Sequence, residues 1–341
     1  MATRPNFVLA ALADRLHRPW LMYRPALHAM VAKAHAAGNV GSEVYERYLA
    51  AMSDDDNVPY PWGEKVPGAR RAYRKNGVAI VPLTGPMFHA QGEDDDFTQF
   101  LAWWYGGSVT EHFAADVKAA LADPNSRAIV LAIDSPGGEV FGLDAALQTI
   151  RPPGNDTMGA DAAAQTIQGS RKPIVAHAGG FMASAAYYVG SAAPRIVSDR
   201  NALLGSIGTI LHWYDFTKML EEYGIEEVVF RSSQSPNKWA DHKTATGKAV
   251  YQREVDAICQ VFIEAVAANR RKRVQTVLDD FGQGEVLTAA DAVKVGMADS
   301  IDTFDATVRA LAGGGSTASG YVSALPSKRV AIFERNEPCL E

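Results

Sequence analysis

Cysteine is nearly absent: the 341 residues contain two, Cys259 and Cys339. That excludes a disulfide-stapled fold and a metal centre built from clustered thiolates. No stretch reaches the ~18 uninterrupted apolar residues of a membrane span. The N-terminal "MATRPNFVLAALADRLHRPW" interrupts its apolar patch with Asp14 and Arg15, so it lacks the long hydrophobic region of a secretory signal. Positive charge is not in excess either. A net charge of −6 and a pI near 5.8 give no basis for non-specific nucleic-acid binding. Internal repeats are missing. These absences predict a soluble, intracellular chain without membrane anchor or nucleic-acid partner, and nothing requires a metal or cofactor.

What is present is a large apolar fraction, 47% against 21% charged, which fits a globular protein with a substantial core. Residues 1–52 read as a helical N-terminal segment through "FVLAALADRL" and "ALHAMVAKAHAAG". Residues 53–76, dense in Pro, Gly and charge, read as a linker, and the basic run "GARRAYRKNG" within it as solvated. Strand-like runs follow in "VAIVPLTGPM", "SRAIVLAIDS", "KPIVAHAGG", "RIVSDRNALLGSIGTI" and "EEVVFRSS". They alternate with helical patterns in "SVTEHFAADVKAALAD", "FGLDAALQTI", "FTKMLEEYG" and a long stretch at 245–272. Such alternation predicts an α/β fold of parallel strands with covering helices over 77–310. The acidic "GEDDDF" reads as a solvated loop, and Cys259, at helical spacing with Phe262 and Val266, as a buried core thiol. Residues 311–341 read as a flexible linker and tail.

Two strand ends deliver glycines. In "IDSPGG" the backbone N–H groups of Gly137 and Gly138 can approach a ligand and bind an oxyanion, although the same residues also make an ordinary turn. In "GGFMASAAYY" a helix starting near Met182 would put Ser184 in its first turn, beside the amide of Ala185. Close packing through Ala and Gly would explain the composition equally well. The stretch is not the Gly-x-Ser-x-Gly elbow of α/β-hydrolases. A nucleophilic serine needs a base. His177 lies inside a strand and reads as a core or edge residue. A lysine serves if its neutral form is accessible; Lys238, beside Trp239, reads on local sequence alone as a surface lysine.

The blocks "AIDSPGGEV", "GGFMASAAYYVGSAA", "LLGSIGTI", "VVFRSSQSPNK" and "LTAADAVKVGMADSID" together resemble, in order and spacing, the Ser/Lys-dyad peptidases related to signal peptide peptidase A. The N-terminal "LHRPWLMYRPALHAMV" is more similar to the phage branch, the lambda-like capsid proteases. The resemblance implies a crotonase-like fold of the Clp protease and hydratase superfamily. It also implies Ser184 as nucleophile, Lys238 as general base with Lys243 as fallback, Ser206 orienting the lysine, and Gly138 with Ala185 as oxyanion hole. Extended polypeptides would be the substrates, cleaved within a ring-like homo-oligomer. In a phage setting these would be scaffold, portal or capsid proteins in the host cytoplasm or prohead; in a bacterial setting, signal-peptide remnants or misfolded chains. A crotonase-like acyl-CoA enzyme and a catalytically silent assembly protein stay open as alternatives.

Overall fold

The computed structural model describes residues 63–90, 95–150, 172–212, 217–222 and 228–313, with 20–22 and single positions at 26, 29, 30, 33, 47, 224 and 226. Most of the N-terminal segment, the stretch around 151–171 and the tail from 314 onward lie outside them. The centre is a largely parallel sheet. Strands β4 (Val78–Thr84), β7 (Ala128–Ser135) and β9 (Ile174–Ala183) run side by side. The far side of β9 carries β10 (Arg195–Ser198) along its first half and β11 (Leu203–Gly205) along its second, both parallel. Strand β12 (Val286–Thr288) closes that edge antiparallel to β11, and β13 (Ser300–Ile301) continues from β10.

These strands read as near-continuous apolar runs because both faces are covered. Ala79, Val81, Leu83, Ile129, Leu131 and Ile133 share a cluster with Phe113 and Val117 of α2 (Thr110–Ala122) and Leu147 of α3 (Leu143–Ile150). The alternate residues Val78, Ile80, Ala128 and Val130 pack with Val308 and Leu311 of α9 (Phe304–Ala312). Fully burying each such side chain is worth roughly 1.5–3 kcal/mol. A second, small sheet runs in the order β1 (Trp20–Met22), β8 (Gly137–Glu139), β5 (Met87–Phe88), β6 (Ser108–Val109). It stands where β7 hands the chain to the glycine turn.

Several sequence expectations need correcting. Residues 63–76 are not mere linker: β2 (Glu64–Lys65) and β3 (Tyr73–Lys75) extend the main sheet antiparallel to β4. The buried carboxylate of Asp116 fixes their connection by accepting from the N–H groups of Arg70 and Arg71 at 2.6 and 2.9 Å. The acidic loop ends as a helix cap, since Asp95 accepts from the Thr98 N–H and opens α1 (Asp96–Tyr105). Within the N-terminal segment, read as helical throughout, Trp20–Met22 is a strand, because β8 offers it an unpaired edge.

The run at 228–232 forms no strand. Val228, Val229 and Phe230 are exposed, Phe230 to 94%, and no described strand pairs with them. The long helix is found as α6 (Ala245–Arg270), but apart from Gly247 in its first turn its buried residues, Phe262, Ile263, Val266 and Ala267, lie in the C-terminal half. Cys259, farther toward the N-terminus, is therefore half-buried, with burial pushing its thiol pKa up. Among the described residues no helix is long and apolar enough to cross a membrane.

Candidate active site

Strand β9 continues through both glycines to Ala183 rather than yielding to a helix near Met182. Two neighbours hold it extended. Phe181, Met182 and Ala183 pair with Leu203, Leu204 and Gly205, and on the other side the register with β7 shifts between Ile133 and Ser135. Asp134 bridges that irregularity: its Oδ1 accepts from the Phe181 N–H at 2.8 Å, and a Cβ on Gly180 would crowd the same carboxylate.

Ser184 follows at φ 55°, ψ −122°, a conformation L-residues rarely adopt, and helix α4 (Ala185–Ser191) begins at the next residue. Strain of this kind costs of order 1–3 kcal/mol and persists only where the surroundings enforce it. Here the Ser184 N–H donates to the Gly205 carbonyl at 2.6 Å, and the Ser184 carbonyl accepts from Tyr188. Buried Tyr187 locks α4 from behind by donating to the Met297 carbonyl at 3.0 Å. The outcome is a serine 1% exposed whose Oγ has no hydrogen-bond partner among the described residues. Leaving a buried hydroxyl unsatisfied costs about 1–3 kcal/mol. Ala185 is the first residue of α4, so its N–H precedes the helical ladder.

Three other expected residues lie on elements that adjoin Ser184 or the helix it opens. Ser206, directly after Gly205, also sits at positive φ, 52°, and its N–H donates to the Glu285 carbonyl at 2.7 Å. Strand β8, carrying Gly137 and Gly138, packs against α4. Gly138 is required sterically: a Cβ there would overlap the carbonyl of Met87. Gly137 takes φ 97° and its N–H donates to Ser135 Oγ at 3.2 Å.

Lys238 is not hydrogen-bonded to Ser184. It lies exposed in a turn, its N–H bonded to the Ser235 carbonyl, and shares a surface hollow with Phe230 and Trp239. Lys243, also exposed, reaches Thr217 Oγ1 at 3.5 Å. His177 is buried in β9, its Nε2 3.3 Å from the Asp302 carbonyl and its ring edge-on to Phe304. Burial pushes its pKa down, as suits a core imidazole.

Sequence reasoning missed the polar support of β8. Glu139 is fully buried and its Oε2 accepts from the His89 N–H at 2.8 Å, tying β8 to β5. His89 in turn pairs with Glu111 at 2.5 Å. The signal was a carboxylate directly after Gly-Gly, among residues otherwise small or apolar. A cleft opens at Ser206 and runs between Thr209 and Cys259 of α6, with Met22 on its wall.

Sequence comparison relates the chain to known peptidases. Residues 166–316 match the model of peptidase family S49. The chain is 28% identical over 284 residues to "Capsid assembly protease C" of Escherichia phage lambda, a match covering 79% of this chain and 57% of that protein. It is 24% identical over 234 residues to "Protease 4" of Haemophilus influenzae, covering 68% of this chain and 34% of the relative. With "Head-tail preconnector protein GP5" of Enterobacteria phage P21 it shares 27% over 246 residues, 71% of this chain and 44% of the other. The chain thus spans about a third to somewhat over half the length of these relatives.

Proposed function

We propose that the chain is a serine endopeptidase with a crotonase-like fold, acting on extended polypeptides through a Ser184/Lys238 dyad. The observation that carries this reading is Ser184 itself. Its buried hydroxyl, unpartnered among the described residues, is held at a strained strand-to-helix junction beside the Ala185 amide and a glycine strand, inside the stretch that matches S49 peptidases. Ser184 Oγ attacks the scissile carbonyl, and neutral Lys238 takes the hydroxyl proton and passes it to the leaving amine. The N–H groups of Gly138 and Ala185 receive the developing oxyanion; that of Gly137 is already bonded to Ser135. Water then hydrolyses the acyl-enzyme. Ser206 orients the lysine.

Lys238 must be brought to the serine and desolvated, and the exposed Phe230 and Trp239 around it supply a surface for doing so. A neighbouring copy packed on that surface, in the ring-like assembly, would bury the lysine at a completed site. The phage relatives favour substrates among scaffold, portal or capsid proteins of a maturing prohead. Casein or capsid-protein cleavage by wild type but not Ser184→Ala tests the reading; equal cleavage by both rejects it.

A further inference from the structure

Strand β1 is placed as a substrate would be. It lies antiparallel on β8, with Met22 opposite Gly137, Leu21 opposite Gly138 and Trp20 opposite Glu139. Strand β5 occupies the other side of β8, so without β1 the glycine strand would present an open edge. Such an edge takes up extended peptide through main-chain hydrogen bonds, with side chains sorted into flanking pockets.

The Met22 side chain borders the same region. Met22 is 3% exposed and forms part of the wall of the cleft that opens at Ser206. One tripeptide therefore lies with its backbone on the glycine strand and with Met22 at the border of the adjoining cleft, where a bound substrate would have to pass. Ser184 is at the same time 1% exposed. Proline stands at 19 and 25, and neither can donate to a ladder. The pairing is thereby confined to a short stretch that a competing chain can displace.

We propose that Trp20–Met22 is an intramolecular occupant of the substrate groove, holding the peptidase closed until an extended polypeptide replaces it. This rests on the assignment of Ser184 and Gly138 to the site. A site occupied by its own chain binds a competitor more weakly, in proportion to the fraction of molecules in which the groove is open.

The test measures binding rather than turnover. A fluorescently labelled decapeptide copying residues 17–26, HRPWLMYRPA, is titrated by anisotropy into full-length Ser184→Ala. The titration is repeated in two further variants of that chain. In Leu21→Pro/Met22→Pro, consecutive residues point their N–H groups to opposite sides of a strand, so one donor toward β8 is lost whichever it is. Met22→Asp keeps every backbone group and puts a charge on the cleft wall; it gives the answer alone if the proline variant does not fold. The expected result is about tenfold tighter binding once the strand is released. Equal affinity with and without the strand, or no binding in any variant, overturns the proposal. Failure of the peptidase reading shows separately, as uncleaved casein with wild type while the affinity shift persists.

Discussion

The main-chain N–H of Ser184 donates to the carbonyl of Gly205 at 2.6 Å, so the end of β9 is fastened to the end of β11 one residue before Ser206. Both serines sit at positive φ, 55° and 52°, and Gly205 between them in space takes φ 125°. The backbone that aims Ser184 is thus the backbone that places Ser206. Gly205→Ala sets a Cβ 2.7 Å from the Glu285 carbonyl at a φ that L-residues avoid. We expect it to destabilise the fold by about 1–3 kcal/mol and to lower kcat at least tenfold, read by thermal unfolding and casein hydrolysis. Unchanged kcat would mean that the two strand ends are not coupled in function.

The lysines are separated by paired variants. Lys238→Ala is expected to abolish hydrolysis nearly as completely as Ser184→Ala, because nucleophile and base act as a unit, while Lys243→Ala keeps most activity. Initial rates on a peptide substrate decide. The reverse pattern moves the base to Lys243.

Much of this architecture was legible in the sequence. The strands at 78–84, 128–135 and 174–183 are apolar runs bounded by turn residues, and α6 follows a long 3.6-residue period. Ser184 stood out because small residues crowd around one hydroxyl. What could not be read was decided by distant partners. The extension of β9 through Gly179 and Gly180 depends on β11 and on Asp134. The conversion of residues 63–76 to strands depends on Asp116. Strand β1 exists because β8, far along the chain, offers an edge. Residues 228–230 have strand composition but no described strand beside them, which no local pattern reveals.

Stability is expected to fall on mild acidification. Burial first, then the charge of Arg70, pulls His112 down from 6.5 to about 4, and burial lowers His177. A histidine whose folded pKa is depressed binds its proton more readily in the unfolded chain. Its contribution is therefore complete above about pH 6.5 and is lost as the pH falls toward 4. Asp116, raised by burial, works in the opposite sense and offsets part of the loss. Urea unfolding between pH 7 and 4.5 should show a falling midpoint, flattened in His112→Gln/His177→Gln. A wild-type midpoint that stays level would contradict this assignment.

The tail sequence is a candidate substrate. Residues 314–327, "GGSTASGYVSALPS", are mostly small side chains and lie outside the described structure. Tethering gives a local concentration on the order of millimolar at a neighbouring site. Cleavage between Ser316 and Ser327 is expected, read as loss of a C-terminal fragment by intact-mass spectrometry in wild type and not in Ser184→Ala. Identical masses after long incubation would rule it out.

The identity of the nucleophile is the centre of the account, and fluorophosphonate labelling followed by peptide mapping addresses it directly. Full-length wild type, incubated long enough for β1 to exchange, should carry a single adduct on Ser184, and Ser184→Ala should carry none. An adduct on another serine, or a Ser184→Ala chain that still takes up the probe and cleaves casein, would contradict it.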